Sequence, residues 1–173
     1  MLDHLWAGWR AAYLEAVTGD PTPLRPDASG SLFERLLALA DADGDEAALV
    51  VHRGVHAAAL LNAYPYATGH LLVVPTRAVA DLETLDEDTH AELWDVVRRG
   101  VVAVRAAYGC DGVNVGLNLG AAAGAGVPDH LHVHVVPRWA GDTNFMTATA
   151  DTRVLPEALG DTWARLRSVW PPG

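Results

Sequence analysis

The chain has 173 residues, 50% of them hydrophobic and 20% charged, and a formal net charge of −10 at pH 7. That length suits one domain with a substantial core, and the acidity argues against a duplex nucleic-acid binder, whose affinity rests on neutralising many phosphates. A single cysteine, Cys110, leaves no disulfide framework and no Cys-x-x-Cys metal clip. With no basic-then-apolar leader and no apolar run of membrane-spanning length, the expected location is the cytoplasm, with neither membrane nor nucleic acid as a partner.

Residues 1–30 read as an N-terminal extension and 31–173 as the domain proper. Leu2, Leu5, Trp6, Trp9, Ala12, Tyr13 and Ala16 recur at helical spacing and predict an amphipathic helix from Leu2 to Val17. Thr18 to Gly30 carries Pro21, Pro23 and Pro26 and is expected to be an irregular arm. Ser31 and Glu34 form a capping-box pattern ahead of Leu32, Phe33, Leu36, Leu37 and Leu39, which marks a short helix. Ala47 to His52 and Ala57 to Leu61 predict a hairpin about Arg53-Gly54. A loop from Asn62 to Gly69 then leads to His70, at the mouth of a buried strand Leu71–Val74 closed by Pro75.

Asp86 to Tyr108 is the longest periodic segment, with Leu93, Trp94, Val97, Val101 and Val104 on one side. Thr84 or Asp86 can cap this helix, and Gly109 suits the left-handed position that stops it. Gly112 to Leu119 predicts a strand, followed by the small-residue loop Gly120 to Pro128. Such a loop can bring backbone amides close to phosphate oxygens, and it can equally be a plain flexible turn. Past Trp139, a loop at 140–144 leads to a short edge segment, Phe145 to Thr149. Pro156 is expected to open a final helix through Ser168, with Leu159, Trp163 and Leu166 as its apolar stripe.

The stretch Asp129 to Trp139 departs furthest from chance: His130, His132 and His134 alternate with Leu131, Val133 and Val135. A strand would line the imidazoles along one face about 7 Å apart, whereas a helix would scatter them over roughly 200°. Three readings of that face stay open. The rings can be buried histidines satisfied by neighbours. They can be metal ligands of the His-x-His kind. They can form a covalent catalytic group with the central ring as nucleophile. Imidazole suits phosphorus chemistry because it is largely neutral near pH 7.

These motifs together resemble the histidine-triad (HIT) family. The pattern His-φ-His-φ-His-φ-φ is met by His130 to Val136, the upstream entry by Pro65-Tyr-Ala-Thr-Gly69-His70-Leu-Leu-Val-Val-Pro75, and Asn-Leu-Gly by Asn118 to Gly120. The resemblance runs from about Val50 to Trp139 and implies a HIT-like α+β fold, an antiparallel sheet of about five strands with a long helix packed on it, assembled as a homodimer. It further implies nucleotidyl transfer or hydrolysis at an α-phosphate through a covalent nucleotidyl-histidine. His132 would be the nucleophile. His130 and His134 would orient it and share hydrogen bonds with the phosphate or leaving group, with His70 supporting them from behind. Asn62 matches the ribose-binding position and Asn118 a residue that touches the bridging or leaving-group oxygen. Gly124 and Gly126 would lie beside the phosphate, and Trp139 would stack on a base or pack at the dimer interface.

No cofactor is expected. Many bacterial relatives carry a Cys-x-x-Cys zinc clip where this chain reads Ser31-Leu32-Phe33-Glu34, so no structural zinc is expected either. His134 stands where the family's transferase branch usually has Gln, which argues against sugar-1-phosphate exchange. The fuller pattern, including Asn62-Ala-Tyr-Pro-Tyr66 and Gly141-Asp-Thr-Asn-Phe145, resembles actinobacterial diadenosine tetraphosphate phosphorylases of this family. In these, inorganic phosphate takes the nucleotide from histidine to give ADP and ATP. The rival expectations are a hydrolase of dinucleoside polyphosphates or nucleoside phosphoramidates, and a nucleotide- or metal-binding module without turnover.

Overall fold

The computed structural model describes residues 30–142 and 157–173, with the side chains of residues 42 and 43 left aside. The expected Leu2–Val17 helix, most of the Pro-rich arm, the Phe145–Thr149 edge segment and Pro156 lie outside those residues. Three α-helices are present among the described residues: α1 (Leu32–Asp43), α2 (Glu87–Tyr108) and α3 (Leu159–Ser168). Five strands, β1 (Val50–Arg53), β2 (Ala57–Leu61), β3 (Leu71–Pro75), β4 (Gly112–Gly116) and β5 (Val133–Arg138), form one sheet in the order β1-β2-β3-β5-β4. Every pairing is antiparallel, so the chain has the expected α+β architecture.

The strand alternation divides the core. Val51, Ala57, Ala59, Leu61, Leu71, Val73, Val133 and Val135 face α2 and α3, where they meet Leu93, Val96, Val97, Ala103, Val104 and Leu166. Val50, Ala58, Leu60, Leu72 and Val74 point the other way and pack against Phe33, Leu37 and Ala40 of α1. β2 and β3 are buried on both faces along their whole length, which explains their near-continuous apolar runs. Each buried Leu or Val contributes about 1.5–3 kcal/mol relative to exposure. Gly100 of α2 faces the sheet, where a methyl group would make an ordinary contact with Leu71 at 3.4 Å. The tail turns back over α2, where the Arg99 guanidinium donates to the Pro171 carbonyl at 2.7 and 3.1 Å. No helix among the described residues is long and apolar enough to cross a membrane.

The caps follow the sequence. Ser31 and Glu34 make both halves of the capping box on α1. Asp86 caps α2 through the Thr89 amide, and Gly109 ends it in the left-handed region at φ 55°.

Four boundaries differ from expectation. β1 starts at Val50 instead of Ala47, because Leu49 has φ 56° and the Val50 amide donates into the preceding turn at Asp45. β4 stops at Gly116, opposite His134, instead of Leu119. α3 starts at Leu159 with Ala158 as its cap residue, instead of at Pro156.

The fourth concerns the histidine stretch, where β5 begins at Val133 and not at Asp129. The β3–β5 register, Val73 opposite Val133, would bring Leu131 opposite Pro75, which has no N–H to donate. The Leu131 amide bonds instead to the Val79 carbonyl at 2.8 Å. His130 and His132 are therefore held outside the ladder.

Gly69 and Gly109 separate two causes of strain. Both have positive φ, but a methyl group at Gly69 would fall 2.6 Å from the Tyr108 ring, whereas at Gly109 it would meet nothing within 4 Å. Gly109→Ala is expected to cost about 1–2 kcal/mol for the backbone conformation alone. Gly69→Ala is expected to cost more, and urea denaturation of both variants measures the difference.

Candidate active site

Four histidines form a row across the sheet, from His70 at the start of β3, through His134 and His132 at the start of β5, to His130 beside Pro75 at the end of β3 and the N-terminus of α1. His70 and His130 are 0% and 1% exposed and His132 is 7% exposed, while His134 is half-buried. His134 lies in the ladder opposite Leu72 and Gly116, so the sheet directs its side chain. Its ring stands 5.2 Å from that of His132, so a single phosphate group can reach both.

Fixed donors and acceptors around the rings determine their tautomers. His132 Nδ1 lies 2.9 Å from the His130 carbonyl, an obligate acceptor. Nδ1 therefore carries the proton, and Nε2 presents a lone pair. His130 donates from Nε2 to the Pro75 carbonyl at 2.9 Å, and its Nδ1 accepts the Ser31 hydroxyl at 2.5 Å. Both of its nitrogens are thus occupied by protein. His130 has no nitrogen left for a phosphate, and its direct contact with His132 is through its carbonyl. The three imidazoles consequently offer no common metal site, and among the described residues no three His, Cys, Asp or Glu side chains converge as one.

A second chain of hydrogen bonds runs through His70. The Tyr66 amide donates to His70 Nδ1 at 3.0 Å, so His70 carries its proton on Nε2 and donates to His134 Nδ1 at 2.9 Å. Neutral His134 then carries its proton on Nε2. The Tyr66 ring covers this pair, with its centroid 4.6 Å from His70 and 5.7 Å from His134. Phe33 does the same for the other pair, 5.2 Å from His130 and 5.4 Å from His132.

Burial lowers the pKa of both His130 and His132 below the ordinary histidine value, against the raising effect of their carbonyl partners. The neutral, nucleophilic form of His132 is therefore favoured around pH 7.

The other expected residues are spread more widely. Asn62 is beside His70, with its amide nitrogen 3.4 Å from His70 Nδ1 and its oxygen accepting the Tyr64 amide at 2.9 Å. Asn118 is half-buried and makes no side-chain hydrogen bond among the described residues. Gly124 and Gly126 lie in a solvent-exposed loop, where a methyl group at either would meet nothing within 4 Å. Trp139 is not part of the cluster. It follows β5 by one residue, five positions and about 17 Å of strand beyond His134. Its ring packs edge-on against Tyr108, 6.4 Å between centroids.

Sequence reasoning left Ser31, Phe33 and Tyr66 out of the site. Ser31 signalled only a helix cap. Its bond to His130, across 99 positions, has no local signature.

Residues 44–141 match the HIT domain family model. The chain belongs to the HIT family. It is 41% identical over 169 residues to a Mycobacterium tuberculosis protein named AP-4-A phosphorylase, covering 98% of this chain and 85% of that one. It is also 36% identical over 93 residues to the asymmetrical bis(5'-nucleosyl)-tetraphosphatase of Schizosaccharomyces pombe, covering 54% of this chain and 50% of that one. Among solved structures, it resembles a histidine triad nucleotide-binding protein of Sulfolobus tokodaii at TM-score 0.59 and 32% identity, covering 70% of this chain and 82% of that one. A zinc-bound histidine triad protein of Mycobacterium smegmatis superposes with the same TM-score at 28% identity, covering 70% and 83%. Like its named relatives, this HIT protein is an enzyme.

Three histidines that are buried or half-buried make stability depend on pH. His52, His130 and His132 are all harder to protonate in the folded chain than at the ordinary value of 6.5. The unfolded chain therefore takes up protons first as pH falls, and stability is lost from about pH 6.5 downward. A lower Tm at pH 5.5 than at pH 7.5 is expected in thermal denaturation, starting well above the range in which ordinary carboxylates titrate.

Proposed function

We propose that this HIT enzyme cleaves dinucleoside polyphosphates at an α-phosphate through a nucleotidyl group carried on His132. Inorganic phosphate then accepts that group, so that diadenosine tetraphosphate yields ADP and ATP. The observation that carries this reading is the His132 Nδ1–H bond to the His130 carbonyl, which leaves Nε2 as the nucleophilic nitrogen of a neutral ring.

In the first step Nε2 bonds to the α-phosphorus and the bond to the bridging oxygen breaks, releasing ATP. In the second, a phosphate oxygen bonds to phosphorus as the P–N bond breaks, giving ADP and restoring the imidazole. His134, its proton held on Nε2 by the His70 relay, donates to the phosphate or to the departing oxygen. As His132 becomes bonded at both nitrogens, the His130 carbonyl stabilises the cationic character of the ring. Asn62 contacts the ribose, Asn118 the bridging oxygen, and the Gly124–Gly126 segment the phosphates. The AP-4-A phosphorylase relative at 41% identity supports phosphate as the acceptor. The exposed β4 edge, with Val115 at its surface, supports assembly as a homodimer.

One observation favours water as the acceptor instead. The loop Gly120–Pro128 contains no hydroxyl side chain with which to hold a phosphate.

Incubation with diadenosine tetraphosphate, with and without phosphate, tests both. ADP and ATP formed only with phosphate are expected. AMP and ATP formed without it would replace phosphorolysis with hydrolysis, and no products in either arm would reject the reading. His132→Ala should lower turnover by on the order of 10³-fold or more, and His134→Ala by about 10²–10³-fold. Intact mass after a rapid alkaline quench should show one added adenylyl group on the parent enzyme and none on His132→Ala.

A further inference from the structure

His132 lies outside the ladder, because β5 begins one residue later, so the sheet cannot orient the nucleophile. Its Nδ1 has one anchor, the carbonyl of His130. That carbonyl is held in turn by a side chain with two fixed contacts, Pro75 on Nε2 and Ser31 on Nδ1. Ser31 is the N-cap of α1, and its hydroxyl also accepts the Glu34 amide at 3.3 Å. The Glu34 carboxylate takes the Ser31 amide on Oε2 at 2.8 Å and the Ala78 amide on Oε1 at 3.0 Å. The segment it grips also supplies the Pro75 and Val79 carbonyls to His130 and Leu131. The His130–Leu131 backbone is therefore clamped between the N-terminus of α1 and residues 75–79.

We propose that Ser31 and Glu34 are positioning residues for the nucleophile, acting through His130. Because Pro75 can only accept, His130 needs a donor at Nδ1 to stay in a single neutral tautomer, and the Ser31 hydroxyl is that donor. Without it, His130 has an unsatisfied buried nitrogen and its ring can turn. Its carbonyl then no longer holds His132 Nδ1–H in one direction. Glu34 acts one step further out, through the placement of Ser31 and of the 75–79 segment. It also places a negative charge near a ring that burial keeps neutral.

This inference rests on His132 as nucleophile, but its central readout does not require turnover. Ser31→Gly is the decisive variant, since glycine is nearly as good an N-cap as serine and α1 should persist without the hydroxyl. Long-range ¹H–¹⁵N spectra of the ¹⁵N-histidine-labelled full chain should show the parent with His132 protonated at Nδ1 and His130 at Nε2. Ser31→Gly is expected to give mixed tautomers at both rings. It should also lower kcat about tenfold, the equivalent of one lost hydrogen bond, with KM changed less than about twofold. Ser31→Thr, which restores a hydroxyl, should recover both. Glu34→Gln, which can satisfy only one of the two amides as acceptor, should move both readouts in the same direction by a smaller factor.

Unchanged tautomers and kcat in Ser31→Gly would overturn the proposal, even with a lowered Tm. Should Ser31→Gly fail to fold, Glu34→Gln decides on the same criteria. If the parent turns over no dinucleoside polyphosphate, the proposed function fails, while the tautomer spectra still decide whether Ser31 positions His132.

Discussion

The 2.9 Å hydrogen bond from His132 Nδ1 to the His130 carbonyl is the interaction on which the rest of the site depends. An imidazole in water exchanges its proton between two nitrogens and rotates about two bonds. Here one carbonyl removes both freedoms. The cost of ordering this ring is met when the chain folds, before any substrate arrives, and such preorganisation is the main advantage a folded site has over a free histidine. Burial supports the same end by disfavouring the charged ring.

The three alternating histidines are held by two different means. His134 sits in β5 between β3 and β4, so its backbone is fixed by the sheet and its ring by His70 Nε2. His130 and His132 precede the strand and depend on contacts that cross the fold: Pro75, Val79, Ser31 and the ring of Phe33. The division begins at Pro75. Without an N–H, it cannot extend the β3–β5 ladder, and its free carbonyl becomes the anchor for His130 instead.

The two faces of the sheet serve different purposes. α2 and α3 cover one face with a continuous apolar core that includes Val133 and Val135, directly beneath the histidine run. On the other face α1 packs a smaller apolar cluster and brings Ser31 and Phe33 to the imidazoles. The alternation of His with Val and Leu is the meeting of these two demands in one segment. Val133 and Val135 secure the backbone from which the neighbouring rings project to the other face.

Much of this was legible in the sequence because its causes are local. Strand and helix periodicity, the Ser31–Glu34 box, the Asp86 cap and the Gly109 stop each act within a few residues, and the alternation at His130–His134 pointed to the candidate site. The beginning of β5, the full occupation of His130 and the placement of Trp139 away from the cluster were not legible. Each depends on which distant residue lies alongside: Pro75 opposite Leu131, Ser31 against His130, Tyr108 against Trp139. The sequence by itself determined which residues could form a nucleophilic imidazole face. Only the tertiary structure decided which nitrogen of each ring carries the proton, because a tautomer follows from a partner and the partners are brought there by folding.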